Sequence, residues 1–186
     1  SRTSDAKCIS ENATVSLVYQ DATQGWTADN IIDNPAIATT DCLVVAGGGG
    51  ASTGAGGAGG YRTGTLSITP ATNITLTVGG GGAGANQYNG EAAEGSDSVF
   101  DSITSTGGGG GNRQYYGATT NMSGGSGAGS GGAPAGIKGS GNTPSTTPSQ
   151  GNDGETGVSS SGVYSGGGGG GAGAVGTAAS GTTPGS

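Results

Sequence analysis

The chain has 186 residues, of which 47 are glycine and 6 proline, and its formal net charge is −7. So much glycine and proline, beside one phenylalanine, one tryptophan and one methionine, leaves too little apolar surface for an ordinary core of this length. The acidic balance, with five scattered basic residues (Arg2, Lys7, Arg62, Arg113 and Lys138), argues against a nucleic-acid partner, which needs clustered lysine and arginine.

Residues 1–46 hold one glycine, Gly25, and every other glycine follows. That break divides the chain into a β-rich stem, residues 1–46, and a glycine-rich domain, residues 47–186. In the stem, Ala13 to Tyr19 is β-branched and partly alternating, which predicts a strand. Gly25 then turns the chain into Trp26. Trp26, Leu17, Tyr19, Ile31 and Ile32 are its apolar stock, too small to stabilise the stem alone, so an oligomeric stem is expected. Half of the twelve acidic residues lie here; they read as a solvated surface, because no D-x-D-x-D-G calcium loop is present. Cys8 and Cys42 fit either a disulfide or two buried free thiols, and without histidine they make no zinc site. No basic-then-apolar leader and no membrane-length apolar run occurs. The start at Ser1, without methionine, reads as a processed or partial chain.

Asp41 to Ala46 reads as a buried strand running into Gly47–Gly50. Next, Leu66 and Ile68, then Ile74, Leu76 and Val78, alternate with polar residues around the turn-forming Pro70 to Asn73. That predicts a hairpin with one apolar face. Ser98 to Thr104 is a further strand, ending at the run Gly107–Gly111. Apolar strands recurring beside glycine runs imply that the runs are tethered in register, since a plain flexible linker has no use for them.

Glycine runs serve either phosphate binding or close backbone packing. Gly54–Gly59 and Gly79–Gly84 both match G-x-G-x-x-G, but no amphipathic helix follows either one, as a dinucleotide site requires. There is no G-K-[ST] for a P-loop, no unbroken every-third glycine for collagen, and no G-G-x-G-x-D repeat. What remains is the extended polyglycine II helix, with three residues per turn, a rise of about 3.1 Å per residue and no internal hydrogen bonds. Its amides and carbonyls point outward, so such helices must saturate one another. The expected fold is therefore mainly β and irregular: the stem, an apolar hairpin and a bundle of parallel polyglycine II runs, with little or no α-helix. The chain has no histidine, so no Ser-His or Cys-His pair exists. Glu91, Glu94, Asp97 and Asp101 read as a polar loop, because nothing apolar nearby would raise a carboxylate pKa. No enzymatic activity, metal or cofactor is expected.

Leu43 to Gly50, Gly59 to Gly64 and Leu76 to Gly82 together resemble the glycine-rich domain of bacteriophage tail-fibre proteins and adhesins. Gln150 to Gly154 and Gly166 to Val175 fit the later part of that pattern, and the resemblance covers residues 41–176. Ala13 to Trp26 is similar to a segment that precedes such domains. The resemblance implies a polyglycine II sandwich in the virion, exposed outside the cell. Loops between its runs would touch a bacterial surface receptor, an outer-membrane protein or a glycan, and a homotrimer would join other fibre or virion proteins. The corresponding loops are 86–95, 112–123 and 142–165. The middle runs depart from the regular pattern at Gly131 to Ala135. Within the loops Asn112, Arg113, Gln114, Tyr115 and Tyr116 are the first contact candidates, then Tyr88 and Met122, since tyrosine and arginine dominate interface energetics. Tyr115 and Tyr116 could equally cap the sandwich. Two rival readings stand: a stiff virion or cell-surface spacer without receptor binding, and an ice-binding protein using Thr65, Thr69, Thr75 and Thr77.

Overall fold

The structure is a computed structural model. It describes residues 14–21, 25–32, 38–70, 72–86, 90–113, 121–132, 137–160, 162–181 and 183–186, with side chains from Thr39 onward. They fall into two compact units, Ser1–Asp41 with Thr65–Asn73, and Cys42–Gly64 with Ile74–Ser186. No α-helix occurs among the described residues.

In the first unit, β1 (Thr14–Asp21) pairs antiparallel with β2 (Gly25–Ile32), setting Tyr19 opposite Trp26 and Val15 opposite Ile31. The expected first strand is present, and Gly25 opens β2; residues 22–24 lie outside the described residues. Cys8 lies outside the described residues. Cys42 is a free thiol whose Sγ donates to Gly64 O at 3.2 Å.

The hairpin expected across residues 65–78 does not form. β3 (Ala38–Val45) pairs with β4 (Tyr61–Ile68), and β5 (Leu76–Thr77) pairs with a later strand instead. The turn chemistry does act, since Thr72 N donates to Thr69 O at 3.3 Å, but it separates strands of two different sheets. β3 offers β4 eight residues of ladder where β5 has two. Ser98 to Thr104, expected as one strand, is a hairpin of β6 (Ser98–Phe100) and β7 (Ile103–Ser105). Asp101 takes its turn at φ 53°, a left-handed conformation that aspartate tolerates. β6 also carries β5, and β8 (Val158–Ser160) with β9 (Val163–Ser165) makes a last hairpin.

Within the second unit the glycine runs form one hydrogen-bonded lattice. Its spacing identifies the helix. Gly108 and Gly111 donate to Gly47 O and Gly50 O, Gly82 and Ala85 to Gly48 O and Ala51 O, and Gly109 and Asn112 to Ser126 O and Gly129 O. Each run meets the same neighbour every third residue, as polyglycine II geometry demands. The runs are not all parallel, as expected from sequence, but mixed. Gly47 and Gly50 donate to Ser96 O and Ala93 O, and Gly54 and Gly57 to Asn112 O and Gly109 O, both antiparallel. Short connections explain the mixture, because a chain that turns directly at the end of a run must come back antiparallel. The interior is correspondingly backbone. Among the described residues the buried apolar ones are Val44, Ala46, Ala92, Met122, Ala128 and Ala179, and the largest fully buried side chains are Gln150 and Asn112. Gly124–Gly131, beside the departure from the regular pattern, is packed like the other runs and buried throughout.

Candidate functional site

The lattice sorts the connections by end. Following the registers, the runs beginning at Gly47, Gly79, Gly107, Gly124 and Gln150 point one way, and those beginning at Gly54, Ala92 and Gly166 point the other. Residues 42–46, where the chain enters this unit, lie at the near end with 60–64, 97–106, 141–150 and 171–174. The far end gathers 51–54, Asn86, Gly90, Glu91, Arg113, Asn121, Gly132 and the hairpin of β8 and β9. Residues 87–89, 114–120 and 133–136, outside the described residues, are therefore all bounded by far-end positions.

Specific contacts tie these flanks together. Arg113 Nη2 lies 3.9 Å from Glu91 Oε1. Asn121 Nδ2 donates to Ala92 O at 2.6 Å, and Ser52 Oγ donates to Asn86 O at 3.4 Å. The exposed carboxylate and half-buried guanidinium leave a surface with both charge signs, able to present hydrogen-bond donors and acceptors to a partner.

The seven contact candidates separate into three kinds. Asn112 is 1% exposed: its amide, carbonyl and side-chain oxygen serve Gly129 O, Gly54 N and Arg113 N. Met122 is 3% exposed, and its carbonyl accepts from Ala128 N. A buried side chain offers a receptor no surface, so both belong to the packing in this conformation. Arg113 reaches the far-end surface. Gln114, Tyr115, Tyr116 and Tyr88 lie outside the described residues. The loops are also shorter than expected, because 92–95 and 150–156 are lattice runs.

Two features of the near and middle lattice were not singled out from sequence. Gln150 O accepts from Tyr61 N at 2.7 Å, its Oε1 from Thr106 N at 2.9 Å, and its Nε2 donates to Pro144 O at 2.9 Å. It fastens the 141–150 connection beside a cleft of about 100 Å³ lined by Tyr61, Arg62, Thr63, Pro148 and Ser149. Nothing in a lone glutamine after Ser149 announces that role. Lys138 Nζ donates to Glu155 Oε1 at 2.5 Å. That bond holds the Glu155 carboxyl below its ordinary range and raises the lysine above its own. The two residues are 17 apart, beyond any local pattern. Of the acidic cluster, Asp97 Oδ1 accepts from Gly107 N at 2.8 Å. Among the described residues no group of three His, Cys, Asp or Glu is placed to hold a metal ion.

Residues 23–186 match a family described as a glycine-rich domain. No curated protein and no solved structure matches the chain.

Proposed function

The chain belongs to this glycine-rich domain family, and from that premise we propose that it is an attachment module of a bacteriophage tail fibre. In this reading it is a homotrimeric virion component, held by other fibre proteins. It meets a bacterial surface protein or glycan through its far-end loops, without catalysis.

The observation that carries the reading is the gathering of loop flanks at the end opposite residues 42–46. A lattice bonded through its backbone holds its runs still, while connections at one end vary without disturbing them. Those connections contain Tyr88, Gln114, Tyr115 and Tyr116 next to Arg113, a composition suited to adaptable contact with aromatic anchors.

The experiment leaves the lattice intact. Removing residues 112–123 would strip out Asn112 and Met122, so the informative variants are Tyr115→Ala with Tyr116→Ala, and a Gly/Ser replacement of 114–120. Adsorption of the labelled chain to host cells should fall at least tenfold, about 1.4 kcal/mol, with an unchanged circular dichroism spectrum. Undiminished adsorption would leave the spacer reading standing. The ice-binding alternative gains nothing from the fold, because Thr65 and Thr77 lie in different sheets.

A further inference from the structure

Most amides of the inner runs bond a neighbouring run, and among the described residues one side of the lattice is open. The run 79–84 has two bonded neighbours. Gly82 N donates to Gly48 O, while Gly80 O and Ala83 O accept from Ser96 N and Ala93 N. Its third side meets nothing among the described residues: the amides of Gly80, Gly81, Ala83 and Gly84 and the carbonyls of Gly81 and Gly84 make no hydrogen bond there. All four residues are exposed. Immediately before them, Leu76 and Val78 are 71% and 82% exposed, the highest values among the exposed large apolar side chains described. β5, which carries Leu76, is an outer strand of its sheet.

We infer that residues 76–84 are a docking edge for the same edge of a second copy of this chain, paired antiparallel, backbone to backbone. Open amides and carbonyls along an extended segment call for another backbone, as an open strand edge does. A Cβ at Gly80 would have nothing within 4 Å, and one at Gly81 only Gly48 O at 3.6 Å. No contact inside the chain therefore requires glycine there, although ordering glycine carries the largest entropic cost. Close approach from outside makes use of the missing side chains.

Charge selects the occupant. Between Arg62 and Glu91 the sequence has no charged residue, in a chain of net charge −7, so two such edges meet without facing carboxylates on the run itself. The edge is also self-complementary along its length, with Leu76 and Val78 at one end and bare backbone at the other. Antiparallel two-fold pairing lays the leucine and valine of each copy over the glycines of the other, whereas parallel pairing would set valine on valine. Nine residues span about 28 Å at this rise, and so narrow an edge buries far less than the about 1,600 Å² of a standard interface. The pairing is weak and concentration-dependent. Glu94 and Asp97, exposed on the adjoining run, make it strengthen with salt.

Sedimentation velocity of the full chain from about 10 μM to about 1 mM, the range that reads such a Kd, tests this. Two-fold association beyond the species present at the lowest concentration is expected, shifting to lower concentration as sodium chloride is raised. A Cβ at Gly80 meets nothing within 4 Å, so Gly80→Val should keep or raise the wild-type thermal midpoint while weakening association at least tenfold. Val78→Asp should do the same. A wild-type chain that does not associate further, or a folded Gly80→Val chain that associates like wild type, overturns the inference. A wild-type chain that binds a glycine-rich peptide at this edge but not its own copy also overturns it.

Discussion

At the scale of the residue, the lattice makes two glycines of the same sequence context opposites. A Cβ at Gly109 would fall closer than 3.0 Å to Met122 O, and its neighbour is backbone that cannot swing aside. The hydrogen occupying that direction instead points at the carbonyl, a weak Cα–H···O contact. Gly109→Ala should therefore destabilise the unit by about 3 kcal/mol or more. Gly80→Ala should stabilise it by about 0.4–1 kcal/mol, because it only narrows the unfolded ensemble. Urea midpoints measure both, and equal effects at the two sites would refute the packing. Neither outcome could be read from the sequence, where Gly80 and Gly109 each sit inside a run. Asn112 presents a related ambiguity, being 1% exposed. An asparagine ending a glycine run looks the same whether it faces solvent or closes the lattice by serving Gly129, Gly54 and Arg113.

Elements show where local pattern stops being informative. Alternation at Leu66 and Ile68, and at Ile74, Leu76 and Val78, marked parts of β4 and β5, but pairing is a non-local choice, and β4 takes the longer β3 in place of the segment beyond the turn at Pro70. Runs 137–141 and 150–156 illustrate the same limit through Lys138 and Glu155. The carboxyl's folded pKa lies below its ordinary 4.5, so its stabilisation is present above that value and is lost as pH falls through the folded one. The ammonium lies above its ordinary 10.5, so its share is present below 10.5 and is lost as pH rises beyond. The bond thus acts across neutrality. Both side chains are partly exposed, at 36% and 25%, so Lys138→Met should cost only about 0.2–1 kcal/mol at neutral pH. The difference from wild type should vanish in acid well below 4.5. A penalty unchanged in acid would show that the lysine acts through packing alone.

For the whole molecule, composition alone announces the unusual core. Scarce large apolar residues beside recurring glycine runs leave the backbone as the main interior material. Which run lies against which was not legible, because every run offers the same amides and carbonyls. Gly47–Gly50 bonds to four different segments, and nothing in its own residues distinguishes them. A heat-capacity consequence follows. Apolar exposure raises ΔCp of unfolding and polar exposure lowers it. A core of alanine, serine and peptide groups should therefore unfold with roughly half or less of the usual 12–15 cal/mol/K per residue. Scanning calorimetry over several pH values measures this, and an ordinary value would mean that the buried surface is not mainly peptide.

The three-residue contact interval also governs how relatives of this chain can differ in length. One residue inserted inside a run turns every later amide by about 120° about the axis, aiming it at the wrong partner. Three inserted together restore the aim and lengthen the rod by a full turn. Tolerated size changes within runs should come in triplets, whereas the connecting segments are free to drift by single residues. That arithmetic lets the far-end connections vary on a frame that scarcely can.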